Sequence, residues 1–178
     1  MVAVMNSKIN YMKWILVDQI YDLTAPIKIM REFVAQEGFD PSSKNSMAVF
    51  RLCNHALIIT LSKLYELLTK YKDIVNAFPE EISIPCTQIR KSIESKDIYG
   101  FRNKYAAHLF DKNTKEPISI KAGQERLAKI LGENIEEMLS FYNWIDPIDR
   151  SDQTGVLPVL QKTLEHCKSV LGPGWERP

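Results

Sequence analysis

The strongest constraint in this sequence is a period. From Ile9 onward, apolar residues recur at Met12, Leu16, Ile20, Leu23, Ile27, Met30 and Val34, in steps of three and four. An α-helix at about 3.6 residues per turn brings such positions onto one face, whereas a strand would show simple alternation. A second stripe follows at Met47, Phe50, Leu57, Leu61, Leu64, Leu68, Tyr71, Val75 and Phe78, which predicts a helix from near Ser46 to about Ala77. Pro26 removes a backbone donor and crowds the preceding turn, so the first helix is expected to kink or break between Thr24 and Pro26. Gly38 and the Asp40-Pro41-Ser42-Ser43 turn end it.

Further along, Pro79 to Pro85 reads as a connector and Thr87 to Glu94 as a short helix. The next helix is capped by Ser95 or Asp97 and stops near Phe110, where Asp111-Lys112-Asn113-Thr114 and Pro117 break the pattern. A fourth runs from about Ala122 to Trp144, and the last from about Val156 to Leu171, stopped by Gly172-Pro173-Gly174. No strand run, internal repeat or low-complexity tract interrupts this series. The expected architecture is all-α: one domain over residues 1–178, a bundle of four long helices plus one or two short ones.

Charge argues against a dedicated duplex-binding domain, because 23 basic residues barely exceed 22 acidic ones. Its distribution is uneven. Between Cys86 and Lys115 the basic residues Arg90, Lys91, Lys96, Arg102, Lys104, Lys112 and Lys115 face only Glu94, Asp97 and Asp111. Between Glu133 and Asp152 acids dominate, so the first region could meet phosphate and the second would repel it. Cys53, Cys86 and Cys167 are scattered and odd in number, which fits buried thiols in a reducing compartment. No uncharged apolar run nears the roughly 18 to 20 residues of a membrane span, and the start lacks the pattern of a signal peptide. A cytoplasmic protein without membrane contact is expected.

Much ordinary chemistry is excluded by the lack of phosphate-loop, dinucleotide-binding, HExxH, GxSxG and EF-hand signatures. Asn54 is the one polar residue on its helix stripe and needs partners for both ends of its amide. His55 reads as a packed helix histidine beside Arg51. His166 and Cys167 are adjacent, and neighbours on a helix point about 100° apart, so they make no nucleophile–base pair by themselves. Asp146, Asp149 and Asp152 read as turn and capping residues. Neither a metal nor another cofactor is expected.

One segment remains, SKDIYGFRNKYAAHLFD, residues 95–111. On a regular helix Ile98, Phe101, Tyr105 and Leu109 form its core stripe, and Arg102 and His108 then lie roughly 120° apart on opposite flanks. Lys104, His108 and Asp111 make the better ridge. Arg102 can reach a histidine by its long side chain, by a distorted turn near Gly100, or across a two-fold axis to a second copy. By spacing alone Arg102 and His108 read either as surface or interface residues of an amphipathic helix or as a pair suited to one reaction. An imidazole titrating near neutrality can take a proton from a ribose 2′-hydroxyl while a guanidinium holds the phosphate, and this needs no metal.

The segment FRNKYAAHLF resembles the signature of HEPN domains: arginine, a polar residue, then histidine after a few intervening positions, here five beginning with Asn103. The resemblance implies a small all-α bundle, and looks closest to stand-alone members linked to bacterial toxin and abortive-infection systems. It implies a metal-independent endoribonuclease in which a homodimer joins two motifs in one cleft. Arg102 would contact phosphate, His108 would act as acid or base, Asn103 would orient them, and Lys96, Lys104 and Lys112 would bind RNA. The products would carry 2′,3′-cyclic phosphate, and an antitoxin or regulatory protein would restrain the enzyme. One departure is Phe110, where toxins paired with nucleotidyltransferase antitoxins usually carry a modifiable tyrosine. The alternative is a catalytically silent helical module that binds a partner protein, nucleotide or RNA.

Overall fold

The two long apolar stripes meet each other. In the computed structural model, which describes residues 2–106, 120–173 and 176–177, α1 (Val2–Val34) packs along α2 (Lys44–Lys70) and also against the last helix, α8 (Val156–Leu171). Ile9, Met12, Leu16, Leu23, Ile27 and Met30 of the first stripe are buried, as are Leu57, Leu61, Leu64 and Leu68 of the second. These interdigitated side chains are the main source of stability, since burying one such side chain contributes about 1.5–3 kcal/mol. Among the described residues there is no strand, so the fold is all-α.

The remaining helices close the bundle around α2. After Tyr71, α3 (Lys72–Asn76) is a single short turn, and α4 (Glu80–Ser95) buries Ile82, Cys86, Ile89 and Ile93 against α2 and α8. Next come α5 (Ile98–Phe101), a π turn (Arg102–Ala106), α6 (Ile120–Leu131) and α7 (Ile135–Ile145). Asn54 finds the partner that its position demanded: the Tyr142 hydroxyl donates to its Oδ1 at 2.5 Å, tying α2 to α7 inside the core. Burial pushes the Tyr142 phenol far above its ordinary range, so it stays a neutral donor.

Several boundaries differ from the sequence expectation, each for a physical reason. Pro26 does not break α1, which runs through it; Pro26 is itself buried between Leu23 and Ile27 on the core side, and that packing outweighs one missing hydrogen bond. The second helix is interrupted at Tyr71, whose backbone leaves helical geometry at φ −103° and ψ 21°. Pro79 to Pro85 is largely helical, with Pro79 at the N-cap and Glu80 and Glu81 in the first turn, where negative charge is favoured. The expected fourth helix divides at Gly132, held at φ +106°, a left-handed conformation that glycine adopts without strain. Asn134 then restarts the chain: its Oδ1 accepts from Glu137 N at 2.9 Å while Glu137 Oε2 accepts from Glu133 N at 2.7 Å, a reciprocal cap. Among the described residues α1, α2, α4 and α8 are the longer helices, and the expected end of the motif-bearing helix near Phe110 lies outside the described residues.

By length and composition α2 is apolar enough to cross a membrane, although Arg51, Lys63 and Glu66 interrupt it and leave no uncharged run of that length. In this fold it is the central helix, touching α1, α4 and α5, and it buries Asn54, Thr60 and Ser62.

Acidic turn residues behave as their type predicts. Asp149 and Asp152 accept from Ser151 and Thr154 in tight local turns, and those hydrogen bonds hold both carboxyls below the usual range. Asp146 is different, because it receives Arg31 from the end of α1 and Arg150 from its own turn. His55 is half-buried, and burial, followed by the nearby Arg51 charge, lowers its pKa. A lowered folded pKa means stability that is present above about pH 6.5 and lost as pH falls through the folded value. Thermal melts at pH 7 and pH 5 should therefore show a smaller loss of Tm for His55→Gln than for wild type; an equal loss would place the acid sensitivity elsewhere.

Candidate active site at the π turn

The π turn owes its place to how α5 is anchored. Asp97 adopts a left-handed conformation at φ 53°, which separates α5 from α4. Its carboxylate occupies the space beside Gly100, where an added Cβ would come within 2.1 Å of Asp97 Oδ1. Arg126 of α6 grips the same carboxylate, Nη1 to Oδ2 at 3.3 Å. Ile98 and Phe101 are buried as their stripe predicts, and Ser62 Oγ of α2 lies 3.4 Å from the Ile98 carbonyl. With the start of α5 held by Arg126 of α6 and Ser62 of α2, the chain continues into a wider i→i+5 turn over Arg102–Ala106. Such turns are rare and concentrate at functional sites.

This turn changes the angular argument for the motif. The roughly 120° separation of Arg102 and His108 assumed a uniform α-helix, and the segment that starts at Arg102 is not one. A distorted turn near Gly100 was one of the three ways to bring an arginine toward a histidine. The distortion begins at Arg102, two residues after Gly100.

Arg102 and Asn103 are brought together directly. Arg102 Nη1 donates to Asn103 Oδ1 at 2.8 Å, which fixes one edge of the guanidinium plane. The same nitrogen lies 3.6 Å from Glu66 Oε1 of α2, an ion pair between a one-third and a half-exposed side chain. Glu66 was invisible to sequence reasoning, because a lone acid between apolar helix positions reads as solvated surface. Its role depends on a contact that spans the fold. Lys104 is exposed on the π turn. Lys96, expected to bind RNA, is half-buried, and its ammonium sits 5.9 Å from the ring centres of both Phe141 and Trp144 of α7, a cation–π position. His108, Phe110, Asp111 and Lys112 lie outside the described residues, as do Leu109 and the side chain of Tyr105.

Other candidate chemistry is absent among the described residues. No group of three or more histidine, cysteine, aspartate or glutamate side chains could hold a metal. The Cys167 thiol is buried, which pushes its pKa up to about 12, and His166 packs edge-on against Phe78 with ring centres 4.5 Å apart. These neighbours do not form a nucleophile–base pair. Burial likewise raises the Cys53 and Cys86 thiols, and Cys86 Sγ lies 3.3 Å from Thr163 Oγ1.

The family model of the HEPN-like integron domain matches residues 5–135, a span running from α1 through the π turn and α6 into α7. The chain belongs to the HEPN-like integron domain family. Its fold is similar to that of an integron cassette protein, Vpc_cass2, from the mobile metagenome of V. paracholerae. That likeness has a TM-score of 0.69 at 20% identity and covers 88% of this chain and 93% of the other. At that identity the likeness concerns the fold. No curated protein matches. The π turn of this chain places Arg102 and the Asn103 amide oxygen that accepts its hydrogen bond together at a partly exposed point.

Proposed function

We propose that this HEPN-like integron domain is a metal-independent endoribonuclease that acts as a homodimer through Arg102, Asn103 and His108. The observation that carries the reading is the 2.8 Å hydrogen bond from Arg102 to Asn103 on a π turn, which presets a guanidinium for a phosphate before any substrate arrives. His108 supplies the acid–base function, and Lys104 adds positive charge on the same turn as Arg102. Cleavage through the ribose 2′-hydroxyl leaves a 2′,3′-cyclic phosphate, and unrestrained cleavage of this kind is the behaviour of a toxin or an abortive-infection effector that a partner protein holds in check.

The dimer has a suitable face. Between α1 and α2 lies an open apolar groove of about 530 Å³, bordered by exposed Tyr21, Ile29, Leu52 and Ile59. Asp22 and Lys63 meet across it at 3.8 Å. An apolar patch of this kind, flanked by charges of both signs, suits contact with a second copy of itself across a two-fold axis. Lys63 stands one turn of α2 before Glu66, so this face adjoins Arg102.

Subunit complementation tests the reading. If Arg102 of one protomer works with His108 of the other, mixing inactive Arg102→Ala and His108→Ala proteins restores about a quarter of wild-type cleavage, since half the dimers are mixed and each has one intact site. No recovery after verified subunit exchange would contradict a shared site. Wild-type protein that binds RNA but cleaves none would favour the non-catalytic module.

A further inference from the structure

We infer that Glu66 is a built-in counter-ion that sets how tightly Arg102 takes a phosphate anion. This rests on the reading of Arg102 as the phosphate-binding group. Two oxygens compete for one guanidinium nitrogen: Asn103 Oδ1 at hydrogen-bonding distance, 2.8 Å, and Glu66 Oε1 at 3.6 Å, within ion-pair range but beyond a hydrogen bond. The two partners do different things. Asn103 is neutral and local, so it aims the arginine without reducing its charge. Glu66 comes from a different helix, carries a full negative charge, and lies where a bound phosphate would feel it.

The geometry makes Glu66 a tuning element and not a lock. Its side chain is 48% exposed and that of Arg102 33%, so water screens the pair and an arriving dianionic or polyanionic ligand can displace it. Until then the carboxylate offsets the guanidinium charge and opposes any phosphate within a few ångströms. Every phosphate at Arg102 is therefore held less tightly than the arginine alone would hold it, and a nucleic acid strand that presents several phosphates at once overcomes that cost through its other contacts. Other acids near this end of α2 are already engaged elsewhere: Asp22 with Lys63 at 3.8 Å, and Glu94 with Arg90 at 3.7 Å.

The test measures binding without cleavage. A 2′-O-methyl oligoribonucleotide lacks the nucleophile, so its affinity can be read by fluorescence anisotropy, and inorganic pyrophosphate can be followed by calorimetry. Glu66→Gln should tighten both on the order of threefold to tenfold, and Glu66→Lys further. The gain should vanish when Arg102→Ala is present, and Glu94→Gln, which removes a charge not paired with Arg102, should give less than half of it. An unchanged affinity for Glu66→Gln, or the same gain with Arg102 absent, overturns the inference. The two readings fail separately. If wild type cleaves no RNA while the pyrophosphate gain persists and needs Arg102, the ribonuclease reading falls and the counter-ion stands; cleavage without that dependence is the reverse.

Discussion

Arg102→Ala should lower the rate of RNA cleavage in EDTA by about 100-fold to 1,000-fold, with circular dichroism and dimerisation unchanged. Removing a preset donor that stabilises developing phosphate charge typically costs that much. Two structural facts support an effect on the site and not on the fold. Arg102 is partly exposed, and its described partners are an adjacent asparagine and an exposed glutamate, so its loss leaves no buried charge unpaired. Arg102→Lys should recover little, because a point charge cannot reproduce the fork or accept orientation from Asn103. Asn103→Ala should be milder than Arg102→Ala, since the guanidinium remains but is no longer aimed. A rate equal to wild type for Arg102→Ala would remove the arginine from the mechanism.

The largest loss of stability should come from Asp146→Ala. Asp146 closes α7, and its side chain is only 11% exposed. Arg31 Nη1 donates to its Oδ2 at 2.5 Å, Arg31 Nη2 donates to its backbone carbonyl, and Arg150 Nη1 donates to Oδ1 at 2.7 Å. Truncating the aspartate leaves the Arg31 guanidinium, itself mostly covered, without its carboxylate. We expect a loss of about 2–3 kcal/mol, or roughly 5–10 °C in Tm for a chain of this size. Arg150→Ala is the contrast: that side chain is 75% exposed and its removal should cost under about 1 kcal/mol. Similar small losses for both would mean that the junction between α1 and α7 carries no particular weight.

How much of this was legible in the sequence depended on range. Periodicity named the core faces of α1 and α2 and the bounds of α8 because those stripes are long and uninterrupted. It missed the break at Gly132 because Ile130 and Leu131 before it and Met138 after it are all buried, and an apolar tally carries across a single glycine. The local signal was there in Asn134 and Glu137, spaced as a reciprocal cap. Pro26 and Pro85 misled in the opposite direction, since tertiary packing can outweigh one lost backbone bond. At the candidate site, Arg102 and Asn103 were legible as residue types in a pattern, and the family assignment agrees with the likeness drawn from that pattern. The π turn, the Glu66 contact and the capture of Lys96 by Phe141 and Trp144 were not, because each depends on groups brought together from different elements.

The most direct test of the account is the chemistry of the cut ends. Purified wild-type protein and His108→Ala are each incubated with a panel of RNAs in EDTA, and the fragments are mapped by mass spectrometry. The account expects wild-type fragments ending in 2′,3′-cyclic phosphate or the derived 3′-phosphate, with 5′-hydroxyl partners, and none from His108→Ala. Fragments with 3′-hydroxyl ends, equal cleavage by the variant, or no cleavage of any RNA would contradict it.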